Sequence, residues 1–166
     1  KSLIEKNYNE VVVSIINKAK ENNCEIILPI DVVCANNLNE KETVRRCEID
    51  NVSNSQMILD IGSKTTQIIS QYVNKSKLIL WNGPLGAFEY PSFAESSIKI
   101  ANIIKSRSVN SEIISIAGGG DTNSVIKIAK AKDGFSYISN AGGAFLEWLE
   151  GNGSPGFNAI EENNKN

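Results

Sequence analysis

Four short apolar runs, Met57–Ile61, Lys77–Trp81, Glu112–Ala117 and Phe135–Ser139, each lead through a loop with small residues into a stretch of helical spacing. The helical stretches are Lys64–Val73, Phe93–Lys105, Asp121–Ala131 and Gly142–Leu149. Runs that are apolar throughout read as strands buried on both faces, and their alternation with helices predicts a parallel sheet. The expected class is α/β: a Rossmann-like parallel sheet with helices on both faces, in three α/β/α layers. In such a sheet ligands bind at the carboxyl ends of the strands. The glycines fall there: Gly62, then Gly83 and Gly86, then Gly118 to Gly120, then Gly142 and Gly143. One shared ligand edge is the expectation.

Upstream, Tyr8, Val11, Val12, Ile15, Ile16 and Ala19 fall at helical spacing, closed by Asn22 and Asn23. Two further runs, Cys24–Leu28 before Pro29 and the β-branched Asp31–Ala35, read as strands. Residues 36–55 are polar and read either as a long excursion or as a small antiparallel addition. With 166 residues, the chain is sized for one domain. It opens on Lys1 rather than Met, and both ends read as open. Only the Asn- and Lys-rich tail after Glu161 reads as disordered.

Composition removes several chemistries. There is no histidine, which excludes Ser-His-Asp and Cys-His hydrolysis and HExxH zinc sites. A net charge of -2 argues against nucleic acid as a partner, since phosphate neutralisation needs a clustered basic surface. No apolar run approaches transmembrane length, so no membrane partner is expected. Cys24, Cys34 and Cys47 form no CxxC pair and read as reduced, mostly buried thiols of a cytoplasmic protein.

What remains is carboxylates, lysines, backbone amides and bound ions. In Gly118-Gly119-Gly120-Asp121-Thr122 the glycines let backbone approach a ligand, and free amides of the following helix face it. Asp121 can hold a magnesium ion on a phosphate, and Thr122 can offer a hydroxyl to a phosphate oxygen. The same residues also suit a flexible turn with Asp121 as a plain N-cap. In Trp81-Asn82-Gly83-Pro84-Leu85-Gly86-Ala87-Phe88-Glu89, Asn82 can donate to a phosphate. Pro84, Leu85 and Phe88 offer apolar surface to a ring, and Glu89 can accept from vicinal hydroxyls. The alternative is a turn on Gly83-Pro84 with Trp81 and Phe88 in the core. Asn140 before Gly142 and Gly143 fits an anion site and an ordinary N-cap equally, while Lys64 reads as a surface lysine ahead of a phosphate contact and Asp31 as a turn residue ahead of a strand-end carboxylate.

Taken in order, these segments resemble the phosphoglycerate kinase family. The resemblance is carried by Ile27-Leu28-Pro29-Ile30-Asp31-Val32-Val33, Leu59-Asp60-Ile61-Gly62, the segment Trp81 to Glu89, Gly118 to Thr122, Ala141 to Glu147 and Leu149-Glu150-Gly151. It implies reversible phosphoryl transfer between 1,3-bisphosphoglycerate and ADP, giving 3-phosphoglycerate and ATP in glycolysis, with ATP/ADP and Mg2+ as cofactors. By position, Asn82, Gly119, Gly120 and Thr122 would lie at the nucleotide phosphates, and Gly83, Pro84 and Leu85 at the adenine. Glu89 would take the ribose, Asp121 the magnesium, and Gly142 and Gly143 the phosphoryl group in flight.

The resemblance further implies that residues 1–156 are most of the C-terminal, nucleotide-binding domain, with 157–166 as a tail. Family members are usually monomeric. Their N-terminal domain, which holds phosphoglycerate, and the phosphate-binding lysines have no counterpart here. The chain alone is therefore expected to be inactive, and a non-catalytic nucleotide-binding or split module needing a complementary chain is the alternative. Ser63 stands where the family commonly has proline, and Asn140-Ala141 where it commonly has a hydroxyl residue and glycine.

Overall fold

The computed structural model describes residues 7–151. The chain divides into two compact units, the first running to Tyr72 and taking in Leu85–Ser96, the second comprising Val73–Pro84 and everything from Ser97 onward. The tail 157–166, with Phe157 and Ile160, lies outside the described residues.

The first unit begins with helix α1 (Asn9–Glu21), and the chain leaves it through Asn23 at φ 51°, the left-handed exit that asparagine tolerates. The helix forms as its spacing predicts, yet none of its residues is buried. The run Cys24–Leu28 is not a strand: it joins no ladder among the described residues, and Leu28 is 68% exposed. A short apolar run earns strand character only by finding a neighbouring ladder, which composition does not report.

Strands β1 (Asp31–Ala35), β2 (Arg45–Glu48) and β3 (Met57–Ile61) form one sheet in the order β2-β1-β3, with both pairings antiparallel. The polar 36–55 segment is thus the small antiparallel addition, with β2 at an edge. This also corrects the reading of β3 as part of the parallel sheet, because an apolar run does not encode strand direction. All five residues of β1 are buried. Val33, Ala35 and Leu59 pack with Phe93 into the core of this unit, flanked by Leu38, Val44, Met57, Ala87 and Tyr90. Phe93, 1% exposed, contributes about 1.5–3 kcal/mol by burial.

The start of helix α2 (Ser63–Lys75) is held from β1. Asp31 Oδ1 accepts from Thr65 N at 2.7 Å and from Thr65 Oγ1 at 2.6 Å, and Oδ2 accepts from Lys64 N at 2.9 Å. A carboxylate from another strand thus does the work of an N-cap. Burial opposes ionisation of Asp31, but the Thr65 hydroxyl, the two amides and the Lys64 charge outweigh it and hold the carboxyl below its usual range. Gly62 passes against this carboxylate, and its amide donates to Asp31 O at 2.7 Å. Gly62 and Asp31 therefore serve an antiparallel sheet and a helix start, not the parallel strand ends.

The second unit carries the parallel sheet: β4 (Leu78–Asn82), β5 (Ile114–Gly118) and β6 (Tyr137–Ser139), in the order β4-β5-β6. Helices α3 (Glu95–Val109), α4 (Gly120–Ile128) and α5 (Gly142–Leu149) follow its strands. Trp81, Ala117, Ile100, Ala101, Ile104, Val125 and Ile126 form its buried apolar set. Leu78, Leu80, Ile114 and Tyr137 are exposed, at 61%, 43%, 58% and 60%. Registers Leu78↔Ile114 and Leu80↔Ile116↔Tyr137 place them on one face of the sheet.

Against the expectation of mostly buried thiols, one cysteine of the three is buried. Cys24 is exposed, Cys34 is buried, and Cys47 is half-buried beside Cys34.

Candidate functional site

Three strand ends of the parallel sheet converge. Register sets Asn82 opposite Gly118 and Gly118 opposite Ser139, so the turns after β4, β5 and β6 leave the sheet side by side. Gly119, with φ +96° and ψ 146°, is the N-cap of α4. That φ favours glycine, and a Cβ there would lie 3.0 Å from Asn82 Oδ1. A Cβ on Gly142 would lie 2.8 Å from Gly119 Cα and 3.2 Å from Asn82 Oδ1. The backbones after β5 and β6 therefore touch, with the Asn82 amide against both. The starts of α4 and α5 come together at this contact.

The outer side is open. A Cβ on Gly120 or on Gly143 would meet nothing within 4 Å. Gly119 caps α4 with no side-chain hydrogen bond, so Asp121 is not the N-cap but an exposed first-turn residue. First-turn amides of a helix carry the positive end of its dipole, which suits a phosphate.

Thr122 sits differently. It is fully buried, and its hydroxyl accepts from Gly83 N at 2.8 Å, tying the turn after β4 to the first turn of α4. Trp81 Nε1 donates to Gly83 O at 2.7 Å, so both backbone groups of Gly83 (φ +95°) are held. Pro84 follows, half-buried.

Leu85, half-buried, and Glu89, exposed, belong to the first unit. Phe88 is a core residue, 8% exposed, rather than open ring surface. The structure thus brings Asn82, Gly83, Gly119, Gly120, Asp121, Thr122 and Gly142 to one edge, with Gly143 on its open side.

The sequence reading missed Asn123. Its Nδ2 donates to Ser139 O at 3.1 Å and to Asn140 Oδ1 at 2.7 Å, fastening α4 to the end of β6, while its Oδ1 is buried without a hydrogen-bond partner among the described residues. A groove of about 320 Å³ runs there, lined by Gly120, Asn123, Ser124, Lys127, Lys132 and Asn140 among others. The two lysines are cations near the strand ends that no local motif signalled. Among the described residues no three His, Cys, Asp or Glu side chains gather to hold a metal. No helix among them is long and apolar enough to cross a membrane.

Parallel strands whose glycine turns open onto helix N-termini define an α/β chain of the phosphate-facing type in architecture. A family model described as phosphoglycerate kinase matches residues 1–152, and the chain belongs to that family. The phosphoglycerate kinases of Xanthobacter autotrophicus and Bartonella tribocorum are 40% and 41% identical to it over 160 residues, 96% of this chain. The chain spans about 40% of the length of each. The structure of phosphoglycerate kinase from Coxiella burnetii matches with a TM-score of 0.83 at 36% identity, over 91% of this chain and 38% of that one. The phosphoglycerate kinase from Pyrococcus horikoshii shares the fold, with a TM-score of 0.63 at 24% identity over 92% of this chain and 37% of that one.

Proposed function

We propose that this chain supplies the nucleotide side of a phosphoglycerate kinase, which moves a phosphoryl group reversibly between 1,3-bisphosphoglycerate and ADP. The observation that carries the reading is the contact of Gly119 with Gly142 beside Asn82, which sets two helix N-termini at one place. Phosphoryl transfer needs positioning and charge stabilisation more than covalent chemistry, and backbone amides at helix starts supply both.

Asn82, Gly119 and Gly120 take the nucleotide phosphates, and Thr122 orders the turn they approach. Gly83, Pro84 and Leu85 line the adenine side, and Glu89 accepts from the ribose hydroxyls. Gly142 and Gly143 offer amides to the phosphoryl group as charge develops on it. The residues present fit a magnesium ion: Asp121 is an exposed carboxylate beside the open Gly120, and magnesium is commonly held by one or two carboxylates plus substrate phosphates. When bound, the ion neutralises phosphate charge; Asp121 orients it and also raises the local negative charge a bare phosphate would meet.

Phosphoglycerate is expected to reach this edge from protein outside these 166 residues, so the chain by itself is proposed to be inactive. The proposed cellular setting is the cytoplasm, with neither nucleic acid nor membrane as a partner. A second reading is a split module that works with a complementary chain; the exposed sheet face at Leu78, Leu80, Ile114 and Tyr137 favours it.

Calorimetric titration with ADP, with and without magnesium, tests the proposal. Saturable binding that magnesium strengthens, and that Asp121→Ala renders insensitive to magnesium, is the expected result. No saturable heat with folded chain would overturn it.

A further inference from the structure

Cys34 and Cys47 lie on neighbouring antiparallel strands, where Val32 pairs with Cys47 and Cys34 with Arg45. They are therefore diagonal neighbours on one face of the sheet, and their sulfurs are 3.9 Å apart. Both are free thiols, Cys34 inside and Cys47 half-exposed on the edge strand β2. We propose that Cys34 and Cys47 form an oxidisable dithiol, a modification site that a small peroxide converts to an intramolecular disulfide.

A disulfide bond is about 2.05 Å long, so the sulfurs must close by about 1.9 Å from their present separation. Side-chain rotation supplies most of this. The remainder falls to β2, which lies at the edge of the sheet and pairs on one side only.

The burial difference sets the order of events. Cys47 meets the oxidant first: its sulfur attacks a peroxide oxygen, the O–O bond breaks, and Cys47 becomes a sulfenic acid as one water leaves. The Cys34 sulfur then attacks the Cys47 sulfur, the S–O bond breaks, and the departing hydroxyl takes the Cys34 proton to leave as a second water. Two thiols lose two electrons, and one peroxide is reduced to two waters. Burial, with the neighbouring Cys47, pushes the Cys34 thiol up to about 11, so Cys34 is protected from direct attack by oxidant. The product pins the edge strand β2 to β1, the strand that also carries Asp31. Cys24, exposed and in neither strand, has no part in it.

The test uses the full chain with Cys24→Ser, which leaves two thiols, treated with hydrogen peroxide under native conditions. The expected outcome is a mass loss of about 2 Da, disappearance of both alkylatable thiols, and a joined Cys34–Cys47 peptide that dithiothreitol separates. The melting temperature should rise by about 5 °C or more on oxidation and fall back on reduction. Addition of about 32 Da at Cys47, with Cys34 still alkylatable after denaturation, would overturn the proposal, because the sulfinic acid then forms faster than the crosslink. Cys34→Ser should stop the reaction at a dimedone-reactive Cys47. Should that buried substitution unfold the chain, Cys47→Ser serves instead, and native Cys34 should then stay reduced. Its rapid oxidation there would count against the assigned order and the proposal with it.

Discussion

Asp31 shows how one side chain governs a helix at a distance in sequence. Its carboxylate takes two hydrogen bonds from Thr65 and one from the Lys64 amide, and these hold its native pKa below the ordinary value of 3.8. A carboxyl with a depressed native pKa stabilises the fold above its unfolded pKa, and that contribution is lost as pH falls through the native value. Asp31→Asn should cost about 1 kcal/mol at neutral pH and shrink the difference in stability between pH 6 and acid below the usual carboxylate range. Urea melts across that window measure both. Asp60 is the contrary case: burial raises its pKa despite donation from Ser96 and Ile61, so its contribution runs opposite in sign. Gly142 offers a steric test, since a Cβ there lies 2.8 Å from Gly119 Cα, with backbone rather than a flexible tip in its way. Gly142→Ala should destabilise by about 1–3 kcal/mol, whereas Gly143→Ala, facing open space, should leave urea stability nearly unchanged.

At the level of elements, Arg107 joins two helices. From α3 its guanidinium donates to Val73 O and, at 3.0 Å, to Ser76 O, closing the C-terminal end of α2, and it also pairs with Glu112 at 3.1 Å. Arg107→Ala should cost about 1.5–3 kcal/mol and speed amide exchange in the last turn of α2. Elements of this kind are largely legible: among the described residues, all five α-helices and the strands 31–35, 57–61, 78–82, 114–118 and 137–139 follow the apolar pattern to within a few residues. Strand β2 was not, because Arg45 and Arg46 sit exposed at an edge and carry no apolar signal. Nor was the antiparallel pairing of β1 with β3, since apolar runs state burial and leave direction open. At the site, Gly119 and Gly142 stood out because close backbone approach demands glycine. The bond of Thr122 to Gly83 is not legible in the sequence, because it depends on two loops meeting 39 residues apart. Asn123 is likewise informative only once β6 lies beside α4.

The whole chain presents an imbalance between its two sheets. The antiparallel sheet has a buried central strand, while the parallel one leaves Leu78, Leu80, Ile114 and Tyr137 exposed on one face. Purely parallel sheets are normally covered on both sides, and apolar patches beyond a few hundred Å² mark a surface made for contact. The chain spans about 40% of the length of the relatives named above. Concentration-dependent light scattering by the isolated chain is expected, and Leu78→Lys with Leu80→Glu should suppress it. Scattering unchanged by both substitutions would place the sticky surface elsewhere.

The bond from Gly83 to Thr122 has a consequence for how a ligand is received. Because that turn is already fastened to α4, and Gly83 O is already held by Trp81, this strand-end edge does not have to freeze to take the anion of the proposed function. Under the proposed function, recognition at this edge is then preorganised: little conformational entropy is lost on association, and most of the interaction strength appears as affinity. Thr122→Val, which keeps the shape but strands the Gly83 amide, would turn a rigid receptor into one that must be ordered by its own guest.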